Sequence, residues 1–215
     1  MELELTPDEL LTTTRTVRRR LDFDRPVPRD LIVECVDIAL QAPTGGMKQN
    51  WHWIAIEDAK LKRQIADVYR ESWNADRARG QLPAYDATDP RGLRIAQVVE
   101  SGTYLAENLE RAPWLVVVAG TGRPPEGATM PEQSRFWGSM LPAMWSFMLA
   151  ARARGLGAAW TTEHLKREEQ IAGILGLPYP DVAQCGMFPV AYSIGTDFKR
   201  AHRIPAADVM HWDRW

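Results

Sequence analysis

Two short stretches of this chain carry residue types that could do chemistry together. Arg15-Thr16-Val17-Arg18 sets two guanidiniums and a hydroxyl in one run, a donor set that can grip a phosphate without a metal. Pro43-Thr44-Gly45-Gly46, continuing through Gln49 to Trp51, is a glycine turn entering an aromatic segment. Small residues there let backbone amides approach the polar edge of a flat ring. A flat, phosphorylated cofactor needs both stretches, and flavin mononucleotide (FMN) meets the description.

A third candidate stretch is Gly155 through Thr162, which ends in Trp160-Thr161-Thr162, and a fourth is the late basic residue Arg203. Each has a plainer reading: a solvated basic run for Arg15–Arg20, a helix-terminating turn for Pro43–Gly46, a strand-end hydroxyl pair for Thr161 and Thr162. Arg19 and Arg20 stay with that plainer reading. The four histidines, His52, His164, His202 and His211, show no metal-ligand spacing with Cys, Asp or Glu, so no metal is expected. No Gly-x-Ser-x-Gly elbow and no Cys/His pairing offers a nucleophile. Any chemistry then belongs to a bound cofactor.

In order and spacing these segments resemble the FMN-dependent nitroreductase family, whose usual signatures are Arg-Arg-Ser-x-Arg and Ala-Pro-Ser-(small)2-Asn-x-Gln-Pro-Trp. The resemblance runs from about Arg15 to Arg203. It implies that Arg15, Thr16 and Arg18 bind the flavin phosphate, that Arg203 closes over it, and that Pro43, Thr44, Gly45, Gly46 and Gln49 wrap the ring. The family's first arginine is Thr14 here, its Asn is Met47, and its Pro before Trp51 is Asn50. The segment holding Trp160, Thr161 and Thr162 is similar to the one that brings a hydrogen-bond donor to flavin N5, most closely as iodotyrosine deiodinase presents it, and Thr162 is the candidate donor.

The activity so implied is hydride transfer from NADH or NADPH through flavin N5 to a nitroaromatic or quinone-like acceptor, by ping-pong turnover in a homodimer. Three alternatives stand beside it. One is a flavin-storage or sensing protein without turnover, in which Met47 and Trp160 shut the substrate slot. The second is a reductive dehalogenase, although the deiodinase's Glu-x3-Tyr pair is missing between Arg70 and Gly92, where Trp73, Asp76 and Tyr85 stand instead. The third is the flavin-cleaving synthase of the vitamin B12 lower base, whose phosphate motif has an aspartate where Thr16 sits. The acceptor is set by residues about 73–100 and 123–138.

Helices and strands must position these residues. Thr6-Pro7-Asp8-Glu9 is a capping box that predicts a helix from 7 to about 14, delivering Arg15 at its end. Apolar spacing predicts a second, largely buried helix over 28–41, stopped by Pro43, then a strand at 51–56 and a helix over 59 to about 73. A helix over 91–109, interrupted near Gly102, leads to a strand through Trp114–Ala119 covered on both faces. Residues 120–132 read as a Gly- and Pro-rich loop, 135–154 as the strongest helix, 158–162 as a strand, 166–175 as a helix and 182–194 as a strand. Trp53, Trp114 and Trp145 lie in apolar runs and are assigned to the core.

Elements mixed in this way, with no Gly-x-Gly-x-x-Gly after an early strand, exclude a dinucleotide-binding Rossmann domain and predict an α+β fold. The resemblance sharpens that to a nitroreductase fold, a mostly antiparallel central sheet flanked by helices in an intertwined homodimer, with 196–215 as a C-terminal arm around the partner.

Composition sets the outer limits. A chain of 215 residues, 45% hydrophobic, supports one substantial core, and one domain spanning 1–215 is expected. A net charge of -2 and a pI near 6.1 supply no field for nucleic acid or an anionic membrane. Neither a secretory leader nor a membrane-length apolar run is present, so a cytoplasmic location is expected. Cys35 and Cys185 are read as buried small apolar residues.

Overall fold

A computed structural model of the chain describes residues 2–80, 85, 89 and 91–215. Eleven principal elements follow in the order α1 (Pro7–Thr13), β1 (Leu21–Asp22), α2 (Arg29–Ala39), β2 (Trp51–Ile56), α3 (Ala59–Ala78), α4 (Gly92–Asn108), β3 (Trp114–Thr121), α5 (Met130–Ala153), β4 (Leu156–Ala158), α6 (Glu168–Leu175) and β5 (Val182–Ser193). Every strand pairing is antiparallel, in the order β1-β5-β3-β2 with β4 added on β5. The sheet is therefore the antiparallel one expected, flanked by helices on both faces. No helix among the described residues is long and apolar enough to cross a membrane.

Strand alternation builds the two cores. In β3, Trp114, Val116 and Val118 face α2 and α5, whereas Leu115 and Val117 join a second cluster with Ile65 and Tyr69 of α3 and Leu105 of α4. In β5, Ala183 and Cys185 face the α5 side, as do Phe188, Val190 and Tyr192. The switch from odd to even positions reflects an irregularity in register opposite Val118 and Ala119, where one extra residue turns the following side chains over. Gly186 lies at this point; a Cβ there would come within 2.8 Å of Trp160 Nε1. Both cysteines are buried, and burial raises their thiols to about 11 for Cys35 and about 12 for Cys185.

Several boundaries differ from those the sequence predicts. Helix α5 begins at Met130, inside the expected loop, because Thr129 and Glu132 form a second capping box with Pro131 in its first turn. Helix α3 continues to Ala78 through a charged stretch without apolar periodicity. Helix α4 runs unbroken through Gly102, which packs on Trp73 so closely that a Cβ would meet its ring at 2.5 Å. The strand expected at 158–162 is confined to Leu156–Ala158, leaving Thr161 in an isolated bridge to Met187. The helix expected at 166–175 starts at Glu168 after a tight turn, Glu163–Arg167. Strand β1 is too short to show a period.

Burial corrects two further expectations. Helix α2 buries only Ile32, Cys35 and Ala39 and leaves Val33 51% and Ile38 40% exposed. Trp145 on α5 is 37% exposed, not core, whereas Trp114 is buried and Trp53 half-buried. A helical period identifies an apolar face but not what covers it.

Candidate cofactor site

The arginine cluster is fixed by its apolar member. Helix α1 opens with Thr6 and Glu9 capping each other and ends at Thr13, after which the Val17 amide donates to the Ala158 carbonyl at 3.0 Å. Val17 is buried and passes over Gly157, where a Cβ would stand 3.0 Å from its Cγ1. With Val17 turned inward, the guanidinium of Arg18 reaches α4 and donates to Ser101 Oγ at 3.2 Å.

Charge pairing separates the four arginines of this run. Arg19 is paired with Glu100 and Arg20 with Asp197, each at 2.6 Å. Among the described residues, Arg15, Arg18 and Arg203 have no carboxylate within ion-pair distance. Arg15 is held below the ordinary arginine range by burial, and then by the like charges of Arg203 and Arg94. Arg18 is lowered by burial, partly offset by the Tyr69 phenol. Three guanidiniums from α4 and both ends of the described chain thus share one field that a bound dianion would relieve. Arg94 was not singled out by the sequence, because it lies in a weakly matching segment; its place on the first turn of α4 is the one available signal.

Arg18 leads on to the threonine pair. The Tyr69 phenol is raised by burial, with the charges of Glu163, Arg18 and Lys166 acting on it in opposing senses, and its hydroxyl lies 2.9 Å from Thr161 Oγ1. Thr161 is fixed by two backbone bonds with Met187, at 3.0 and 2.9 Å. Thr162 is exposed and its hydroxyl has no described partner. Lys166 pairs with Asp76 and, at 2.6 Å, with Glu163, tying the turn after Thr162 to α3. Trp160 packs on the other side, edge-on to Phe188 with centroids 5.9 Å apart. Tyr69 is the residue here that sequence reasoning missed, hidden in the apolar stripe of α3.

The glycine turn has different supports. Gly45 N–H donates to Ser139 Oγ at 3.0 Å and Trp51 Nε1 to the Ser139 carbonyl at 2.9 Å, so α5 holds the loop. A Cβ at Gly45 would stand 3.2 Å from Arg135 Cγ. Gly46, Met47 and Gln49 all have positive φ, 64°, 54° and 46°. Two non-glycine residues in that region are strain of the kind found at ligand sites. Gln49 N–H donates to Thr44 Oγ1 at 3.2 Å, closing the loop on itself. A cavity of about 460 Å³ opens beside it, lined by Lys48, Asn50, Arg135 and Ser139 among others. Pro43 and Met47 are exposed.

The structure therefore brings Arg15 together with Arg94 and Arg203, and Arg18 together with Ser101 and Tyr69, the latter bonded to Thr161. No described hydrogen bond links them to Pro43, Thr44, Gly45, Gly46 or Gln49, whose contacts run to α5. Unpaired guanidiniums, a partly exposed hydroxyl pair and a strained small-residue loop fit the phosphate, ring edge and ring surround of FMN. Among the described residues no group of three or more His, Cys, Asp or Glu could hold a metal ion.

Comparison with known proteins adds three similarities and a family. The model of the Nitroreductase family matches residues 11–192. The 5,6-dimethylbenzimidazole synthase of Rhodospirillum rubrum is 30% identical over 159 residues, 72% of this chain and 68% of that protein. An oxidised iodotyrosine deiodinase structure, with FMN and 3-iodo-L-tyrosine bound, superposes with a TM-score of 0.73 at 20% identity, covering 97% of this chain and 99% of that one. A variant of an FMN- and NADPH-dependent nitroreductase from Sphigopyxis sp. strain HMH superposes with a TM-score of 0.66 at 19% identity, covering 98% and 100%.

Proposed function

This chain belongs to the nitroreductase family, and on that premise we propose that it is an FMN-dependent oxidoreductase. In this reading it carries hydride from NADH or NADPH to a nitroaromatic or quinone-like acceptor by ping-pong turnover. Bound flavin would supply the redox chemistry at N5. The observation that carries the reading is the pair of guanidiniums without carboxylate partners among the described residues, Arg15 and Arg18, with the like charges of Arg203 and Arg94 acting on Arg15. Unpaired, mutually repelling cations are costly to keep in a fold and become favourable once a phosphate dianion sits among them.

The chain's own residues then bind and orient. Arg15, Arg18, Arg94 and Arg203 hold the phosphate, with the Thr16 hydroxyl beside them. Thr161 and Thr162 offer the ring a hydroxyl donor, which stabilises charge developing at that edge. The loop Pro43–Gln49 supplies backbone amides. The acceptor's proton comes from water, so no fixed acid or base is required.

Because the loop is held by α5 and the arginines by β4 and α4, we place each flavin between two copies of the chain. The arm 196–215 then reaches over the partner. Exposed Val33, Ile38, Leu141 and Trp145 on α2 and α5, and Ile204, Val209, Met210, Trp212 and Trp215 on the arm, supply the apolar surface such a dimer buries. A single domain over 1–215 and a cytoplasmic location belong to the same proposal.

Three alternatives are less well supported. Flavin cleavage is disfavoured because Thr16 supplies no carboxylate. Halotyrosine recognition is disfavoured because Trp73 and Asp76 are spent on Thr103 and Lys166. Part of the acceptor-determining segment 73–100, namely 81–84, 86–88 and 90, lies outside the described residues. A flavin store with a blocked slot is disfavoured because Trp160 packs on Phe188.

Anaerobic stopped-flow decides among these readings. The expected result is a yellow dimer whose absorbance near the flavin maximum bleaches with NADH or NADPH and returns with a nitroaromatic or quinone. Bleaching by neither nicotinamide would favour the non-enzyme, and a protein that takes up no FMN would end the proposal.

A further inference from the structure

The chain leaves β5 through a corner built around two arginines. Arg20 Nε donates to the Ile194 carbonyl at 2.6 Å, and its Nη2 pairs with Asp197 at 2.6 Å. Gly195 between them has a φ of 71°, and a Cβ there would stand 2.5 Å from Arg20 Nη2, so the corner requires glycine. Arg152, near the end of α5, is 5% exposed and donates through Nη2 to the Thr196 carbonyl at 2.8 Å and, more weakly, to Thr13 Oγ1 at 3.4 Å. Its Nε and Nη1 are buried with no hydrogen-bond partner among the described residues.

Both guanidiniums lie against the ring of Phe198, Arg20 at 4.4 Å and Arg152 at 4.8 Å from its centroid. The two cations repel each other, and burial adds to the cost for Arg152. An aromatic face attracts each of them, most strongly where water is excluded. The ring itself is half-buried on the cluster that contains Val17 and Leu21.

These contacts join the two segments that carry the phosphate arginines. Thr13 lies just before Arg15 and Arg20 just after Arg18, while Phe198 precedes Arg203 on the arm. Beyond Phe198 every residue but Ala201 is exposed, and the described hydrogen bonds of residues 199–215 stay within the arm. Phe198 is thus the last described anchor of the arm on its own chain. The charge of Arg203 nevertheless acts on Arg15.

We infer that Phe198, clasped by Arg20 and Arg152, is a positioning residue that fixes where the C-terminal arm leaves the sheet and so keeps Arg203 beside Arg15 at the phosphate site. This inference rests on the FMN reading above. Phe198 acts only through Arg203.

Fluorescence titration of the full-length apoprotein with FMN reads this without turnover. Arg203→Gln should weaken binding about tenfold, the worth of one charge-assisted hydrogen bond. Phe198→Ala should weaken it by a similar factor, and the two combined should match Arg203→Gln alone, because they remove one contact by two routes. Phe198→Tyr keeps the ring face and should bind FMN within about twofold of wild type. Should Phe198→Ala not fold, Phe198→Leu, which keeps apolar bulk without the ring face, takes its place with the same expectation. In the apoprotein, trypsin should cut after Lys199 and Arg200 faster in Phe198→Ala than in wild type, because the arm is released locally. Unchanged FMN affinity in Phe198→Ala, losses that multiply in the double variant, or unchanged trypsin cleavage would overturn the inference while leaving the FMN reading intact. The first of these is also the result expected if a partner copy alone holds the arm. Failure of the wild-type chain to take up FMN would remove both.

Discussion

Replacing Arg15 by Gln should have opposite effects on the apoprotein and on cofactor binding. Without ligand, the Arg15 charge is disfavoured by burial and by the fields of Arg203 and Arg94, so neutralising it relieves a cost. The unfolding midpoint of the apoprotein should stay level or rise. With FMN, the same substitution deletes charge-assisted hydrogen bonds to phosphate, worth about 1.5–3 kcal/mol. At about 1.4 kcal/mol per decade, that is a Kd about 10- to 150-fold weaker. Fluorescence titration of apoprotein with FMN measures it, and the loss should shrink between about 0.1 and 1 M salt, as the Debye length falls from about 10 to about 3 Å. Arg19→Gln is the control: Arg19 is paired with Glu100 at 2.6 Å and half exposed, so FMN affinity should change less than about twofold. Equal losses in the two variants, or none in Arg15→Gln at either salt, would refute the assignment of the phosphate to the unpaired arginines.

Three further outcomes test the fold that carries the site. Gly102→Ala should lower unfolding free energy by about 1–3 kcal/mol in denaturant titration, because its methyl would sit 2.5 Å from Trp73 and overpacking outweighs the gain in helix propensity. Thr129→Ala should cost about 0.5–2 kcal/mol by opening the capping box of α5. His164 is fully buried with neither ring nitrogen bonded among the described residues, and burial lowers its pKa from 6.5 to about 3. The unfolded chain binds that proton first, so stability should fall by about 1.4 kcal/mol per pH unit as pH drops below about 6.5 toward 3. Urea titrations at several pH values should show this slope reduced in His164→Leu.

Much of the architecture was legible because local signals and tertiary outcome agree. The capping box at Thr6–Glu9, the apolar run Trp114–Ala119 and the helical stripe through Met140, Met144 and Met148 each specify an element that packing then uses. Legibility failed where a partner distant in sequence decided. Gly102 reads as a break in a helix until Trp73 is seen against it. Tyr69 reads as one more apolar residue until its hydroxyl is found 2.9 Å from Thr161.

For the candidate site, residue types alone marked out a basic run suited to an anion and a glycine turn suited to close backbone approach, because guanidiniums and glycines have few substitutes for those tasks. Which arginines are free to bind an anion was decided only by folding. Glu100 and Asp197, far along the chain, neutralise Arg19 and Arg20, whereas Arg15 and Arg18 have no carboxylate partner among the described residues. Arg94 and Arg203 join Arg15 across long separations. Chemistry is written in side-chain identity, whereas the net charge a ligand meets is a sum over neighbours that only the tertiary structure assembles.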